Sequence, residues 1–478
     1  MTGIPKTAEA FLESVYFPTT SPSFELDEVG VAKRFAYLLS EKVKFDFDRG
    51  FWCIFDEISN CWNVDKTNQV MLLLDHVIED IKNDVALKEK YTTREINSFI
   101  KRCNSYNYRA AVLNLSKSLP SIKTVLSDWD SFPGAVVFRN GILKLPLSVD
   151  GTLDFKLKTS KDLVLNSLNA DYDAKAKCPR WIETLNSYFD GNQELIRFVQ
   201  QLLGVTLTGV HFEESFVFLH GNGANGKSTF INVLQQIFGS YSLSVSIEEF
   251  LSSYDNRPRL GLAQAVGKRL VVSNEIPSGR SLDESLMKHI TGGEQITVRH
   301  LFKPPFSYKP TFKIWLIGNE KPIIRSFNAG IWRRVILIPF ETQIPPEKRE
   351  PQFRVVDNLL KEASGIVNWI IEGYFDFIGN GFQFKTPKIV SQAVESYRCE
   401  SDFLSDFCQV HIKSKPGSNV FGKDLYEKFK IFCLNNNEPV ISIRKFFKAL
   451  SDRGYKATTD RQRFKIFQDI ELQENVSD

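Results

Sequence analysis

The sequence predicts a multidomain α/β protein built on a phosphate-loop NTPase core, with a parallel sheet and helices. A mixed α/β region precedes that core and a small winged-helix domain follows it. Three observations carry this. A phosphate-loop pattern stands between a strand and a helix. Further buried strands ending in polar residues follow it. And 478 residues exceed what one hydrophobic core organises, so two to four domains are expected.

Bulk properties exclude several classes. The chain is 42% hydrophobic and 24% charged, an ordinary soluble composition. Net charge is +3, so any nucleic-acid surface is local. No apolar run approaches the roughly 18 residues of a membrane span. The N-terminus lacks the cationic start and apolar core of a secretory signal. The seven cysteines are scattered and form no C-x-x-C pair, so no structural zinc is expected. A reducing compartment, the cytosol, and no membrane partner are the expectation.

Residues 1–177 read as a mixed α/β domain. Phe51 to Phe55 and Cys61 to Asn63 flank a polar stretch, as in a β-hairpin. Thr92 and Glu95 make a capping box for a helix through Phe99 and Ile100. Asn140-Gly141 sits between apolar runs as a hairpin turn, and Asp150-Gly151 offers a second. Asp46 and Asp48 form an Asp-x-Asp pair of the kind that holds two metals, but no third acid or histidine site joins them, so a structural role is expected.

Residues 178–345 hold the core. Two helical stripes open it: Trp181, Leu185, Tyr188 and then Leu195, Phe198, Val199, Leu202. Either plain core or a subunit contact would produce them. The apolar run Phe216 to Leu219 then meets Gly221, Asn222, Gly223, Ala224, Asn225, Gly226, Lys227, Ser228 and Thr229. The glycines let backbone N–H groups turn toward phosphate oxygens, at a helix N-terminus that favours anions. Lys227 can reach the β/γ-phosphates of ATP and Ser228 can ligate Mg²⁺. A strand from Leu270 ends at Asn274-Glu275, where Glu275 can polarise the attacking water and help hold Mg²⁺. The preceding residue is Asn274 in place of the usual Asp. A short helix from Leu282 to Ile290 ends at Gly292-Gly293. Residues 295–312 then alternate as a hairpin with Lys303 near its tip. Arg299, His300, Lys303 and Lys309 make it cationic, with Phe302, Phe306 and Tyr308 between them. That pattern suits tracking of single-stranded nucleic acid, or an ordinary solvated hairpin. Asn319 ends a further strand, and Arg333 and Arg334 follow as candidates for a neighbouring subunit's nucleotide site or a surface ion pair.

Residues 342–352 are rich in Pro and charge and read as a boundary, with a linker and helical segment over 346–395. Residues 396–478 read as three helices and a β-ribbon, a winged helix, the third helix capped by Ser442. Between Ser442 and Phe467 there are eight Lys/Arg against two acids, with Arg444, Lys445, Lys448, Arg461 and Arg463 as DNA-contact candidates.

The order Gly-Asn-Gly-Ala-Asn-Gly-Lys-Ser, Arg-Leu-Val-Val-Ser-Asn-Glu, Leu-Met-Lys-His-Ile-Thr-Gly-Gly-Glu, Phe-Lys-Ile-Trp-Leu-Ile-Gly-Asn and Gly-Ile-Trp-Arg-Arg-Val resembles the superfamily 3 helicases. More narrowly it resembles the helicase half of phage, plasmid and poxvirus primase–helicases, and the likeness covers most of the chain. The resemblance implies an AAA+ core that hydrolyses ATP with Mg²⁺ between subunits of a hexameric ring and moves 3′ to 5′ on single-stranded or forked DNA. It implies Lys227 and Ser228 as nucleotide and Mg²⁺ residues, Glu275 as catalytic acid, and Asn319 as sensor. Lys288 and Lys303 match the family's paired lysines, with Lys303 on the channel hairpin. One of Arg333 and Arg334, with Arg334 preferred, matches the trans-acting arginine. It makes the helices before the phosphate loop oligomer contacts. The region before them matches the domain that usually lies between primase and helicase, so no primase activity is expected, which leaves room for a separate primase or initiator partner. A replicative helicase of a phage or other mobile element is the first expectation. An origin-binding initiator that melts without processive unwinding is the second, and a protein-remodelling ATPase the third.

Overall fold

The computed structural model describes residues 24–131, 134–252, 259–277, 279–324, 329–436, 440–459 and 463–473. The first part contains α1 (Glu28–Leu39), β1 (Val43–Asp46), β2 (Phe51–Asp56), β3 (Cys61–Val64), α2 (Val70–Asn83), α3 (Val85–Lys90), α4 (Thr93–Cys103), α5 (Tyr106–Ser116) and β4 (Lys123–Thr124). β1 to β3 form an antiparallel meander, and β4 adds parallel to β1. The expected 51–63 hairpin is β2–β3. Thr92 and Glu95 cap α4 reciprocally, Thr92 N–H donating to Glu95 Oε2 at 2.8 Å and Glu95 N–H to Thr92 Oγ1 at 3.3 Å. Phe35, Val77, Ile100 and Ile122 share one apolar core here. Asp46 is fully buried and accepts two bonds from the Arg49 guanidinium, at 2.9 and 2.6 Å. Asp48 accepts from Leu126 N–H at 2.7 Å. Both carboxylates therefore build the turn after β1.

A small antiparallel sheet follows: β5 (Ala135–Val137), β6 (Ile142–Lys144) and β7 (Asp154–Lys156). Its first turn is centred on Arg139 and Asn140, one step before the Asn-Gly reading, because Phe138 N–H bonds Gly141 O at 2.7 Å. Neither Asn140 nor Gly141 takes a positive φ. Val136, Phe138 and Leu143 join the same core as the phosphate-loop helix. β5 and β6 thus pack with the helices that follow residue 178.

The chain continues with α6 (Pro179–Tyr188), α7 (Gln193–Thr208), β8 (Phe216–His220), α8 (Lys227–Phe238), β9 (Ser242–Ser244), α9 (Leu260–Ala263), β10 (Leu270–Asn274), α10 (Glu284–Thr291), β11 (Ile296–Arg299), β12 (Pro305–Tyr308), β13 (Lys313–Gly318), α11 (Ala329–Trp332), β14 (Val335–Pro339), α12 (Gln352–Leu360), α13 (Ala363–Gly379) and α14 (Lys388–Glu400). Five strands make a sheet in the order β14-β8-β13-β10-β9, every pair parallel. All its carboxyl ends therefore lie along one edge. β11 and β12 pair only with each other.

The apolar stripes of α6 and α7 are spent inside the chain. Trp181, Leu185, Phe198, Val199 and Leu202 are buried in the main core, and α7 lies along α13 so closely that a Cβ on Gly204 or Gly373 would strike the other helix's backbone. These apolar faces are core of this chain. α12 and α13 are likewise part of the core and not a separate segment.

The last part runs α15 (Phe403–His411), β15 (Ile412–Phe421), α16 (Gly422–Asn435), α17 (Ile443–Asp452), β16 (Ala457–Thr459) and β17 (Lys465–Leu472). The sheet order is β15-β17-β16, over a core of Leu404, Phe407, Leu425, Phe429, Phe446 and Phe467. Ser442 stands at the N-cap of α17 without a side-chain cap bond. Among the described residues no helix is long and apolar enough to cross a membrane.

Candidate nucleotide and nucleic-acid site

β8 is buried and delivers the chain to the sheet edge, where residues 221–226 turn into α8. The turn needs left-handed backbone at Gly223 (φ +91°), Ala224 (φ +51°) and Gly226 (φ +85°). Gly226 is required twice over, since a Cβ there would enter the Tyr188 ring. Asn225 is buried and its Nδ2 donates to Phe340 O at 2.7 Å, tying the loop to the end of β14. Lys227 is also buried; its Nζ donates to Gly221 O at 2.5 Å and Asn225 Oδ1 at 3.1 Å. Burial lowers its pKa. Asn222 and Ser228 are exposed at the mouth, and Thr229 pairs with the Tyr188 hydroxyl.

Asn319 directly follows β13, the neighbour of β8, and its carbonyl accepts from His220 Nε2 at 3.1 Å. Glu275 follows β10, one strand further out, exposed and with φ +61°. A non-glycine residue held there carries backbone strain of order 1–3 kcal/mol. Among the described residues no group of three His, Cys, Asp or Glu side chains gathers as a metal site. One hydroxyl and one carboxylate, Ser228 and Glu275, still fit Mg²⁺, which keeps waters and phosphate oxygens in its shell.

The loop floors a cavity of about 1070 Å³. Asn186 and Tyr188 at the end of α6 form one wall, and Thr342, Ile344 and Arg349 form another, with Asn319 at the end. Ile344 N–H donates to Ala224 O at 2.9 Å, and Arg349 Nε to Ile344 O at 2.8 Å. The Pro-rich stretch read as a linker is thus a wall of the site. Its composition carried no signal for this, because the bond that ties it to the loop, Ile344 N–H to Ala224 O, is between backbone groups.

The two arginines differ. Arg334 is 8% exposed and fully engaged: Nη2 to Glu214 at 2.7 Å, Nη1 to Thr291 Oγ1 at 3.0 Å, Nε to Gly330 O at 3.1 Å. Arg333 has a 64% exposed side chain and one surface ion pair, with Glu214 at 2.8 Å. Arg334's guanidinium is thus held against α10, α11 and Glu214, whereas Arg333's lies on the surface.

The hairpin is β11–β12, with Lys303 and Phe302 at its tip; Phe302 is 95% exposed. Arg299 and Lys309 are exposed and His300 is half-buried, stacked on Phe306. Phe306 and Tyr308 point inward, and Tyr308 OH donates to Leu262 O at 2.6 Å. Of the three interleaved aromatics only Phe302 is available to a base. Lys288 lies on α10 beside Gly330, 4.0 Å from Glu284. In the last part Arg444, Lys445 and Lys448 are exposed on α17, and Arg463 is exposed before β17. Arg461 lies outside the described residues.

Residues 32–190 match a family described as D5 N terminal like, and residues 219–334 match a family of unknown function, DUF5906. A protein of Acanthamoeba polyphaga mimivirus named "Putative helicase L207/L206" is 26% identical over 377 residues, 73% of this chain and 38% of that protein. One of Frog virus 3 (isolate Goorha), "Putative helicase 022R", is 24% identical over 260 residues, 50% of this chain and 26% of that protein. One of Sputnik virophage, "Putative helicase V13", is 25% identical over 215 residues, 42% and 27% respectively. The chain spans less than half the length of these curated relatives. An apo structure of the NrS-1 C terminal region aligns over 94% of this chain and 100% of that chain at 11% identity, with a TM-score of 0.45, a likeness too low to argue from.

Proposed function

From the resemblance to phage and viral primase–helicases, which these matches bear out, we propose that the chain is an ATP-driven DNA helicase motor that works as a ring and moves 3′ to 5′ on single-stranded DNA. The observation that carries the reading is the sheet edge. The loop after β8 carries Lys227, and Asn319 and Glu275 follow β13 and β10 at the same sheet edge; Lys227 and Asn319 line a cavity large enough for a nucleoside triphosphate. This order supports an AAA+ core. Lys227 would pair the β/γ-phosphates, Asn319 orient the attacking water, and Glu275 take its proton. Bound Mg²⁺ would neutralise charge on the transferred phosphoryl group. Arg333, on the surface, would reach a neighbouring subunit's site. The helix–strand–helix–helix–strand–strand order of the last part supports a winged helix.

The test is steady-state ATPase with and without single-stranded DNA, on wild type and Lys303→Ala. Strong stimulation that disappears in the variant is expected. Hydrolysis indifferent to DNA in both would remove the translocation reading. The exposed Arg444, Lys445 and Lys448 on α17 favour a second reading, an origin-binding initiator. It predicts that the full chain binds one duplex sequence far above others.

A further inference from the structure

The hairpin tip leans on the first domain. Lys303 Nζ donates to Gly50 O at 3.2 Å, in the turn between β1 and β2. A cleft of about 1010 Å³ opens beside this contact, above the roughly 300–1,000 Å³ of small-ligand pockets. Phe47, Arg49 and Ser127 line one side, and His300, Lys303 and Lys309 the other. Phe47 is 47% exposed despite its size. Arg49 is held rigid: Asp46 takes two of its donors and its guanidinium carbon lies 4.6 Å over the Phe51 ring.

The charges facing the cleft are unequal. Its acids are Asp48, occupied by Leu126 N–H, and Asp130, which accepts from Leu165, Asn166 and the Asn166 amide. Burial raises the Asp130 pKa, against the hydrogen bonds it accepts. Lys303, Lys309 and Arg269 stand against them, Arg269 lying over Tyr241, while the charge of Arg49 is offset by its ion pair with the buried Asp46. The pKa of His300 is lowered first by burial and then by the fields of Arg49 and Lys303. The cleft is therefore positive where the two domains meet.

We propose that this cleft is a second contact for single-stranded DNA, carrying the strand from the hairpin onto the first domain, with Phe47 stacking a base and Arg49 and Lys303 facing its phosphates. The inference rests on the reading of the hairpin as a DNA-contacting element. A preorganised arginine, a mobile lysine and an exposed aromatic are what a strand-tracking groove combines. Continuity with the cationic hairpin favours a strand over a free nucleotide. When the strand enters, Lys303 exchanges the neutral Gly50 carbonyl for a phosphate oxygen, a stronger, charge-assisted partner.

The experiment measures binding of a labelled oligothymidylate to the full chain by anisotropy, for wild type, Lys303→Ala, Phe47→Ala and Ser127→Glu. A base–aromatic stack corresponds to roughly fivefold or more in affinity, the loss expected for Phe47→Ala. Ser127 is exposed, so Ser127→Glu adds a carboxylate to the cleft without opening a core. It is expected to weaken binding several-fold at low salt and less at high salt. If Lys303→Ala weakens binding while both cleft variants bind as wild type does, the cleft proposal is overturned and the hairpin reading stands. If wild type does not bind the oligonucleotide, or Lys303→Ala binds unchanged, the hairpin reading fails and the cleft proposal with it.

Discussion

Replacing Arg334 and Arg333 separately by alanine distinguishes a structural arginine from a catalytic one. Arg334→Ala removes three directed contacts. The partner in the ion pair, Glu214, is 47% exposed and rehydrates, so that pair contributes little. The bonds to Thr291 Oγ1 and Gly330 O come from a buried charged donor, at about 1.5–3 kcal/mol each. They share one side chain and do not add fully, so the expected loss is roughly 2–4 kcal/mol. For a domain of this size about 2–4 °C per kcal/mol gives a melting temperature lower by roughly 5–15 °C. Arg333→Ala breaks one exposed pair and changes stability by about 0–1 kcal/mol. Its expected effect is on turnover, a fall of about 10³-fold or more if it completes a neighbour's site. Scanning calorimetry and steady-state ATPase on both variants are the assays. Mixing Arg333→Ala with Glu275→Gln should restore part of the activity. Melting of Arg334→Ala within about 2 °C of wild type, or Arg333→Ala at the wild-type rate, would refute the reasoning.

Three further outcomes are expected. Glu275→Gln keeps nucleotide affinity and loses turnover by about 10²-fold or more, checked by nucleotide titration beside phosphate release. Gly226→Ala combines a left-handed backbone with a clash into Tyr188, so ATP binding is lost in calorimetric titration while Gly279→Ala, where nothing lies within reach of a Cβ, binds normally. Burial depresses the pKa of His211, whose Nε2 donates to Pro310 O at 2.8 Å. The unfolded chain then takes up a proton near pH 6.5 that the folded chain resists, so stability is full above that pH and falls below it. Urea midpoints at pH 7.5 and 5.5 should fall further for wild type than for His211→Gln, and equal falls would count against this role.

The glycine-rich turn between β8 and α8 was legible because its pattern fixes residue types at fixed spacing: Gly226 has a positive φ, and a Cβ there would enter the Tyr188 ring. Three of the five strands of the parallel sheet, β8, β10 and β13, were legible as short apolar runs ending at polar residues; β9 and β14 were not read as strands. What escaped was set by partners distant in sequence. Trp181 and Phe198 look the same whether they face another subunit or α13, and only the fold shows the latter. Phe306 and Tyr308 alternate with cations as base-stacking residues do, yet burial beside Leu262 claims them. β15 escaped because Lys-Ser-Lys-Pro-Gly-Ser reads as loop; its register shift between Ser414 and Asn419 is how a strand accommodates that sequence. Arg334 and Arg333 are adjacent and chemically equal, so sequence had no means to rank them.

The hairpin's isolation from the main sheet defines how the nucleotide edge can act on it. Among the described residues β11 and β12 pair as strands only with each other, so no sheet ladder carries motion from β8 into them. The base of the hairpin is instead held by side chains. His211 bonds Pro310 after the second strand and packs against Gly293 before the first. Arg334 bonds Thr291 at the end of α10, and the Lys313–Glu213 pair fastens the start of β13 to the same segment. Residues 211–214 lead directly into β8 and the phosphate loop. Arg334 and Arg333 both reach Glu214 within that segment. The loop after β8, the surface arginine and the base of the hairpin therefore all attach to one short stretch of chain, residues 211–214. The tip, by contrast, meets the first domain through the hydrogen bond of Lys303 to Gly50 O, a neutral acceptor that a phosphate oxygen can replace.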